Sequence, residues 1–563
     1  MSLFSKLNSQ QLSAVKAPAG IVRVIAGAGS GKTTLLTAKI AYEIQNGMNP
    51  SKIIALTFTK KAGAEMRVRL KKIIGDSAEK VQTGTFHSFA HSYLRKLFNY
   101  TLMSENDVYD VIEELAEKGG LSVKSDEIVS LISYSRNRQK PIEDLTLAQL
   151  AVAFKKYKLD KNLKDYDDLL EDFLLMLKQK VIKPNFDLVV VDEAQDNSVL
   201  QSEITKALIE PKRNLFIVGD HAQSIYAFRG ANPDSFLEWS SMGCTDYPLS
   251  INYRSTQEVC RVANQVVKRM EGDAKVELVP IRQDPNAPKI VVARPENQGD
   301  ESAWVMNKIS ELRREGHGWD SMAILYRSHY AAQQMQLRLT SQQVPFSIWS
   351  GQNLLTASHI QDVICFLRCY VNPKDSVAWT RVARLLPGIG KVKGGQIAEE
   401  IIRTGIQAVP NEAVTPIKQV FMYRRKDDFL KAVKNFYLPY IRQKHPEQPR
   451  DAAVERFLDY AASQEDIGKF VTDIMFSVDE KPTDGITLTT IHQSKGLEWE
   501  NVFIIGVYDG LFPSLRNEEP GEELRLYYVA ITRAKTRLFI SFPKATAKGA
   551  PARNSFLDLV TNG

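Results

Sequence analysis

Between Ile21 and Leu36 the chain reads IVRVIAGAGSGKTTLL. An apolar run, Ile21 to Ile25, is broken only by Arg23. It leads into Ala26-Gly27-Ala28-Gly29-Ser30-Gly31-Lys32-Thr33, and helix-forming residues follow. The order predicts strand, loop and helix in direct succession, the context of a phosphate-binding loop. Glycines let the backbone curl until several N–H groups face one anion, and the helix N-terminus adds partial positive charge. Lys32 is then placed for the β- and γ-phosphates and Thr33 for Mg²⁺. Ala26 stands where the strict pattern has glycine. Read alone, the segment announces a nucleoside triphosphate but not what its hydrolysis drives.

Such a loop needs a parallel sheet around it, and the sequence supplies the strands. Ile53 to Thr57, Leu188 to Val191 and Leu215 to Val218 are short, β-branched and bounded by polar or turn residues, as buried parallel strands are. Met322 to Tyr326, Ile486 to Thr489, Val502 to Val507 and Arg537 to Ser541 form a second set, so two α/β sheets are predicted. Residues 106–180 and 376–480 carry helical periodicity with almost no strand signal, and each reads as a helical subdomain inserted into an α/β unit. Gly272 to Pro288, Gln407 to Pro416, Arg442 to Arg450 and Asp479 to Gly485 read as connectors, and Lys544 to Asn554 as a mobile basic stretch.

Phe186 to Asp196 reads FDLVVVDEAQD. An acid at the carboxyl end of a strand in a nucleotide-binding sheet can hold Mg²⁺, which points to Asp192. Its neighbour Glu193 is placed to take a proton from the attacking water. Arg254, in SINYRST, and Arg533, in YYVAITRAK, are candidates to offset charge at a γ-phosphate.

The motifs together resemble superfamily 1A DNA helicases of the UvrD/PcrA/Rep family, in order and over nearly the whole chain. Leu7-Asn8-Ser9-Gln10-Gln11 is similar to the Q motif, AGAGSGKT to motif I, LTFTKKAGAEM (Leu56 to Met66) to motif Ia and Gly84-Thr85-Phe86-His87 to motif Ib. DYDDLL (Asp165 to Leu170) resembles a motif of the first inserted subdomain, DEAQD motif II, VGDHAQSIYAFRGA (Val218 to Ala231) motif III, and Asn252-Tyr253-Arg254-Ser255 motif IV. TTIHQSKGLEW (Thr489 to Trp499) and VAITRAK resemble motifs V and VI.

The resemblance implies two RecA-like domains, each with a mainly helical insertion. Residues 1–105 and 182–268 would form domain 1A and 106–181 insertion 1B. Residues 269–375 and 481–563 would form domain 2A, and 376–480 a short insertion 2B. It implies ATP and Mg²⁺ as cofactors. Residues 26–33 and Thr34 would line the nucleotide, with Tyr253 stacking on the adenine and Gln11 bonding its edge. Arg254 and Arg533 would reach the γ-phosphate from the far side of the cleft. Gln223 and Glu498 would link the nucleotide to the DNA.

A sequence-tolerant single-strand track needs aromatic faces for bases and donors for phosphates. Phe58 and Thr59, Thr85 and His87, and Tyr226, Phe228 and Arg229 occupy positions that line the strand in relatives. From spacing alone, Phe58, Phe86 and Phe228 fit a packed core equally well. Leu385 to Ile397, LLPGIGKVKGGQI, is similar to a helix-hairpin-helix element in which Gly388, Gly390 and Lys391 would meet duplex phosphate. A tight turn beside surface lysines is the alternative. FMYRRK (Phe421 to Lys426) adds charge nearby.

Three departures from the family stand out: Thr34 replaces an arginine that helps hold the adenine, Phe228 replaces a tryptophan, and the second insertion is short. The expected activity is an ATP-dependent 3′→5′ helicase and single-stranded DNA translocase acting at single-strand/duplex junctions, competent as a monomer. Repair or replication proteins are the expected partners. Two rivals are a protein-displacing translocase with weak unwinding and a nucleotide-gated DNA-binding subunit of a larger repair or defence complex.

Composition agrees with a cytoplasmic reading. Lys and Arg total 73 against 66 Asp and Glu, a net +7 that permits a basic groove without proving one. No apolar run approaches the roughly 18 residues of a membrane span. The start of the chain, MSLFSKLNSQQ, lacks a signal-peptide layout. Of four cysteines, Cys365 and Cys369 sit in an apolar helical pattern and read as packing.

Overall fold

The computed structural model describes residues 3–103, 105–121, 125–272, 275–283, 287–349, 354–444, 450–471, 474, 484–515, 520–546 and 549–561. The chain divides into two compact units, the first holding residues 1–287 and 517–532, the second 288–516 and 533–562.

The strands of the first unit are β1 (Ile21–Ala26), β2 (Ile53–Thr57), β3 (Gln82–Thr85), β4 (Thr101–Leu102), β5 (Leu163–Lys164), β6 (Leu188–Val191), β7 (Leu215–Gly219), β8 (Thr245–Leu249), β9 (Ile251–Thr256) and β10 (Val279–Arg282). Six of them form one parallel sheet, in the order β3-β2-β6-β7-β1-β8. Alternate residues enter different cores. Ile21, Ile54, Leu56, Val189, Val191 and Ile217 join one hydrophobic cluster, while Val22, Val24, Ala55, Val190, Phe216 and Val218 join another. Strand side chains alternate in direction, so both faces of the sheet's centre are buried, and β2, β6 and β7 read as apolar runs. Arg23 is tolerated in β1 because its guanidinium pairs with Asp246 at 2.7 Å and donates to the Phe236 and Leu237 carbonyls, which offsets its desolvation.

The helices that position the site are α1 (Ser9–Val15), α2 (Lys32–Gln45), α3 (Lys60–Ile74), α4 (Phe86–Leu94), α5 (Glu105–Lys118), α6 (Ser125–Arg138), α7 (Leu145–Asp160), α8 (Tyr166–Lys178) and α9 (Val199–Leu208). The stretch expected to be helical, 106–180, is α5 to α8 with only the two-residue pair β4–β5 beside them. It has a small core of its own, built on Ile112, Ile128, Ile132, Leu150 and Phe154.

The second unit repeats the plan. Strands β11 (Val291–Ala293), β12 (Met322–Tyr326), β13 (Phe346–Ile348), β14 (Ile486–Thr490), β15 (Trp499–Ile504) and β16 (Ala534–Ser541) make a parallel sheet in the order β11-β16-β15-β12-β14-β13. A helical body includes helices Ser358–Val371, Ser376–Ala383, Lys391–Thr404, Lys426–Lys444 and Asp451–Ser463 around Phe366, Trp379, Phe429 and Phe457. Cys365 and Cys369 are buried in it as free thiols.

Differences from the sequence reading fall at edges and connectors. β3 and β8 flank the first sheet, where partial exposure permits the polar sequences QTGT and TDYPL. Gly272 to Pro288 contains β10, which pairs with β9. The strand expected at Val502 to Val507 begins earlier and ends at Ile504. Helix Lys426–Lys444 runs into the connector expected at Arg442 to Arg450, of which 445–449 lie outside the described residues, as does most of Asp479 to Gly485. In Lys544 to Asn554, expected to be mobile, Ala545 bridges Pro551 and the Thr546 N–H donates to the Ala550 carbonyl at 2.7 Å, with residues 547 and 548 outside the described residues. Among the described residues no helix is long and apolar enough to cross a membrane.

Candidate nucleotide site and nucleic-acid cleft

Strands β6, β7 and β1 are neighbours, and their carboxyl ends carry Asp192-Glu193, Asp220 and the glycine-rich loop. The loop turns into α2 through Gly29 (φ +68) and Gly31 (φ +83), both left-handed. A Cβ on Gly29 would also lie 2.8 Å from the Arg254 Cβ and from Asn252 Nδ2, so the loop and β9 are in close contact. Hydrogen bonds hold them together. Asn252 Nδ2 donates to the Ala28 carbonyl at 2.7 Å, and the Tyr253 N–H donates to the Gly29 carbonyl at 3.0 Å. From the other side Gln11 Nε2 donates to the Ser30 carbonyl at 2.9 Å.

The centre of this cradle has unmet polar capacity. Lys32 Nζ and Ser30 Oγ are buried without a hydrogen-bond partner. A buried ammonium and hydroxyl in that state are costly unless an anion meets them, so the loop fits a phosphate. Glu193 Oε2 lies 3.7 Å from Lys32 Nζ, beyond hydrogen-bond length. Glu193 itself is left-handed (φ 50, ψ 43), an uncommon conformation for a side-chain-bearing residue, and Gln195 Nε2 donates to its carboxylate at 2.6 Å. Asp192 is buried and accepts from the Glu193 N–H at 3.0 Å. Thr33, in the first turn of α2, and Asp192 offer the hard oxygen donors that Mg²⁺ prefers.

Asp220 was not singled out from the sequence. It ends β7 as Asp192 ends β6, so the same signal, an apolar run closed by an acid, was there to be read. Burial pushes its carboxyl above the usual range, while Lys32 pulls it down. It accepts from Gln223 Nε2 at 2.6 Å, and the Tyr528 hydroxyl lies 3.5 Å away. Tyr528 belongs to helix Pro520–Ile531, a distant segment that packs within the first unit.

Around the base position, Tyr253 is 42 % exposed and its hydroxyl accepts from Asn8 Nδ2 at 2.7 Å. Gln11 is buried. Its Oε1 accepts from the Asn8 N–H at 3.1 Å while its Nε2 serves Ser30, so its amide is engaged at both ends. Thr34 is exposed. Arg254 lies on the P-loop's own unit, with Nη1 donating to the Thr532 carbonyl at 3.1 Å, and so does not approach from a separate one.

A cleft of about 750 Å³ gathers the residues expected to meet a single strand. Phe58, Thr85, His87, Tyr226, Phe228 and Arg229 all line it. Phe58 and Tyr226 stack with ring centroids 5.1 Å apart and planes at 14°. The Arg229 guanidinium sits 5.7 Å from both the Tyr226 and Phe228 centroids. Phe58 is half-buried and Phe228 53 % exposed, whereas Phe86 is packed in the core. Burial lowers the His87 pKa to about 4, so its imidazole is neutral at pH 7. Thr59 is exposed and caps α3 through its hydroxyl.

The opposite wall comes from α5 to α8. Arg136 bonds to Asp165, Asp168 and Glu171, and Lys158 reaches Asp165 and Asp168. Burial works against both ends of this network, but Arg136 and Lys158 still hold Asp165 below its usual pKa. Gly230 (φ +85), in the loop after Tyr226, passes so near α6 that a Cβ would lie 2.7 Å from Asn137 Cβ.

The remaining candidates lie in the second unit. Arg533 is buried, its Nη1 donating to the Leu497 carbonyl at 3.2 Å, and Glu498 pairs with Lys535 at 3.1 Å. Gly388 (φ +73) and Gly390 form the turn between helices Ser376–Ala383 and Lys391–Thr404, and Lys391 opens the second helix.

A glycine-rich loop on a parallel sheet, with acids at adjacent strand ends, defines a P-loop nucleotide-binding protein. Residues 7–242 match the UvrD/REP helicase N-terminal domain, and residues 247–437 and 452–545 match the UvrD-like helicase C-terminal domain. The chain belongs to the UvrD/REP helicase family. It is similar to the ATP-dependent DNA helicase PcrA of Staphylococcus aureus, 28% identical over an alignment 615 positions long, gaps included, that covers 96% of this chain and 83% of PcrA. PcrA of Staphylococcus epidermidis is also 28% identical, with 96% and 84% covered.

Proposed function

We propose that this protein is an ATP-driven DNA helicase that moves 3′→5′ along a single strand. One observation carries the reading: a single short loop joins the two sites. It leaves β7 at Asp220, whose N–H donates to the same Gln195 side chain that bonds Glu193, and six residues later presents Tyr226, stacked on Phe58 in the cleft. A change at the phosphates therefore has a short covalent path to the bases.

In this reading Lys32 and the loop amides bind the β- and γ-phosphates. Thr33 and Asp192 would hold Mg²⁺, which would offset the phosphate charge there. Glu193 takes the proton of the attacking water, and the 2.6 Å bond from Gln195 fixes the carboxylate's direction. Gln223 senses the phosphate, with Glu498 relaying from motif V, and Arg254 and Arg533 offset charge that develops there. Tyr253 stacks on the base; Gln11 must turn from Ser30 to bond it. Phe58, Thr59, Thr85, His87, Tyr226, Phe228 and Arg229 line the strand, and the Gly388–Lys391 turn meets duplex phosphate. Residues 106–181 and 376–480 act as insertions 1B and 2B on RecA-like domains 1A and 2A. A cytoplasmic monomer working with repair or replication proteins fits this scheme.

The deciding experiment measures ATP hydrolysis with and without single-stranded DNA, alongside unwinding of duplexes bearing a 3′ or a 5′ tail. DNA should stimulate the wild type, and only the 3′-tailed duplex should open. Lys32→Ala should lose hydrolysis, and Glu193→Gln should bind ATP without turnover. DNA-stimulated hydrolysis by either variant at the wild-type rate overturns the assignment, and opening of 5′-tailed duplex alone overturns the polarity.

A further inference from the structure

Helix α4 carries His87 into the cleft, and His91 and Arg95 follow at i+4 and i+8 on the same face. A second cavity of about 580 Å³ opens there, lined by His91, Arg95, Lys96, Phe98 and Tyr100 among others. Its wall is a wholly exposed run, Arg95 to Asn99, in which Phe98 is 44 % and Leu97 47 % exposed. Arg95 and Lys96 form no salt bridge among the described residues. Asp172, whose charge acts on Tyr100, is already paired with Lys164. The His91 ring nitrogen lies 2.8 Å from the Tyr100 hydroxyl, and burial, aided by Arg95, holds His91 below its usual pKa. The cavity therefore offers two unneutralised cations, neutral polar groups and an open aromatic face. That is the chemistry of a sequence-tolerant single-strand site, and no feature of it discriminates between bases.

We propose that single-stranded DNA leaving the Phe58–Tyr226 cleft continues along α4 into this second cavity, with Arg95 and Lys96 on phosphates and Phe98 stacked on a base. At ~1.5 Å of rise per residue, Arg95 lies about 12 Å beyond His87. That adds roughly three nucleotides to the occluded length at ~3.4 Å per stacked nucleotide. The proposal rests on the function given above, and its test separates the two.

Fluorescence anisotropy with oligothymidylates of increasing length reads the site size, and a salt titration reads the number of phosphate contacts. Arg95→Ala/Lys96→Ala should bind the shortest competent oligomers as the wild type does. Its affinity should stop rising about three nucleotides earlier, and its salt slope on long oligomers should fall by about 1.4. Phe98→Ala should weaken long oligomers about tenfold and short ones not at all. Unchanged length dependence and salt slope in both variants overturn the extension and leave the cavity to a protein partner, with the function above intact. If the wild type binds no oligomer of any length, the function and the extension fail together.

Discussion

Asn252 is fully buried, and its amide makes three hydrogen bonds. Nδ2 donates to the Ala28 carbonyl at 2.7 Å, and Oδ1 accepts from the Arg254 N–H at 2.9 Å and the Ser255 N–H at 2.7 Å. One side chain thus fixes the phosphate loop against the segment that carries Tyr253 and Arg254. Asn252→Ala removes all three bonds and leaves a buried carbonyl and two amides unpaired. At about 1 kcal/mol per bond the loss is about 3 kcal/mol, and more if water cannot reach the freed groups. Asn252→Asp divides the effect. Both acceptor bonds survive, but the donor is lost and a carboxylate oxygen faces the Ala28 carbonyl. The aspartate variant should therefore keep Arg254 in place while loosening the loop, raising KM for ATP about tenfold, equivalent to ~1.4 kcal/mol, with a smaller change in kcat. The alanine variant should lose in both parameters and in thermal midpoint. Steady-state ATPase at saturating single-stranded DNA, paired with thermal unfolding, measures all three quantities. Wild-type KM, kcat and midpoint in Asn252→Ala would refute the reasoning.

Two further predictions concern the cleft. Phe228→Ala should shift stability by no more than about 0.5 kcal/mol, because the ring is exposed, yet weaken single-strand binding by about 1–3 kcal/mol. Phe86→Ala, between the cleft-lining Thr85 and His87 but packed in the core, should instead cost about 3–5 kcal/mol of stability; denaturant unfolding beside anisotropy distinguishes them, and the reverse pattern would be decisive against this cleft. Acid should also destabilise the first unit. Burial lowers His87 and His221 each to about 4, below their ordinary 6.5, so between those values the unfolded chain binds more protons. The stabilisation is complete above pH 7 and fades as pH falls, by about 2 kcal/mol per histidine at pH 5. His87→Gln should show a smaller midpoint drop between pH 7 and pH 5 than the wild type; an equal drop removes His87 from the account.

Central strands were legible because burial on both faces leaves an apolar run: β2, β6, β7 and β12 carry one, β1 departs from it only at Arg23, and β14 (ITLTT) keeps β-branched residues in its place. β3 and β8, at the edges, lack that signal. The phosphate loop was legible because its chemistry is local, one backbone curl followed by one helix. Its supports were not. Asn252, Asp220 and Tyr528 act across 224, 308 and 500 residues of separation, and no local spacing encodes such a partnership. The aromatics were divided by a property that sequence does not carry. Phe58, Phe86 and Phe228 all follow polar or small residues, but only the packed structure separates the buried ring from the two that line the cleft. Gln11 shows the converse: its position was legible and its orientation was not, because the capping of α1 and the Ser30 carbonyl both compete for its amide.

The loop from Gly219 to Asn232 is held at more points than its length requires. Gln195 Oε1 accepts from the Asp220 N–H at 3.0 Å, and the Ser224 hydroxyl donates to the Gln195 carbonyl at 2.9 Å. The same Gln195 orients Glu193, so the carboxylate beside Lys32 and the start of this loop share one side chain. Further along, Arg525 Nε donates to the Ser224 carbonyl at 2.6 Å, and the Ala227 N–H donates to Glu522 at 3.3 Å. Beyond Tyr226 and Phe228, Gly230 rests on Asn137 of α6, and Arg138 bonds Asn232. A loop tethered at each step has few soft degrees of freedom with which to absorb a displacement. On the proposed function, movement of Glu193 and Gln195 should therefore be passed on to the stacked pair of Tyr226 and Phe58 and not be lost in loop relaxation, because packed, hydrogen-bonded segments shift between discrete arrangements and do not deform gradually. The tethers at Gln195, Ser224 and Gly230 are the places where hydrolysis and DNA binding should come uncoupled first.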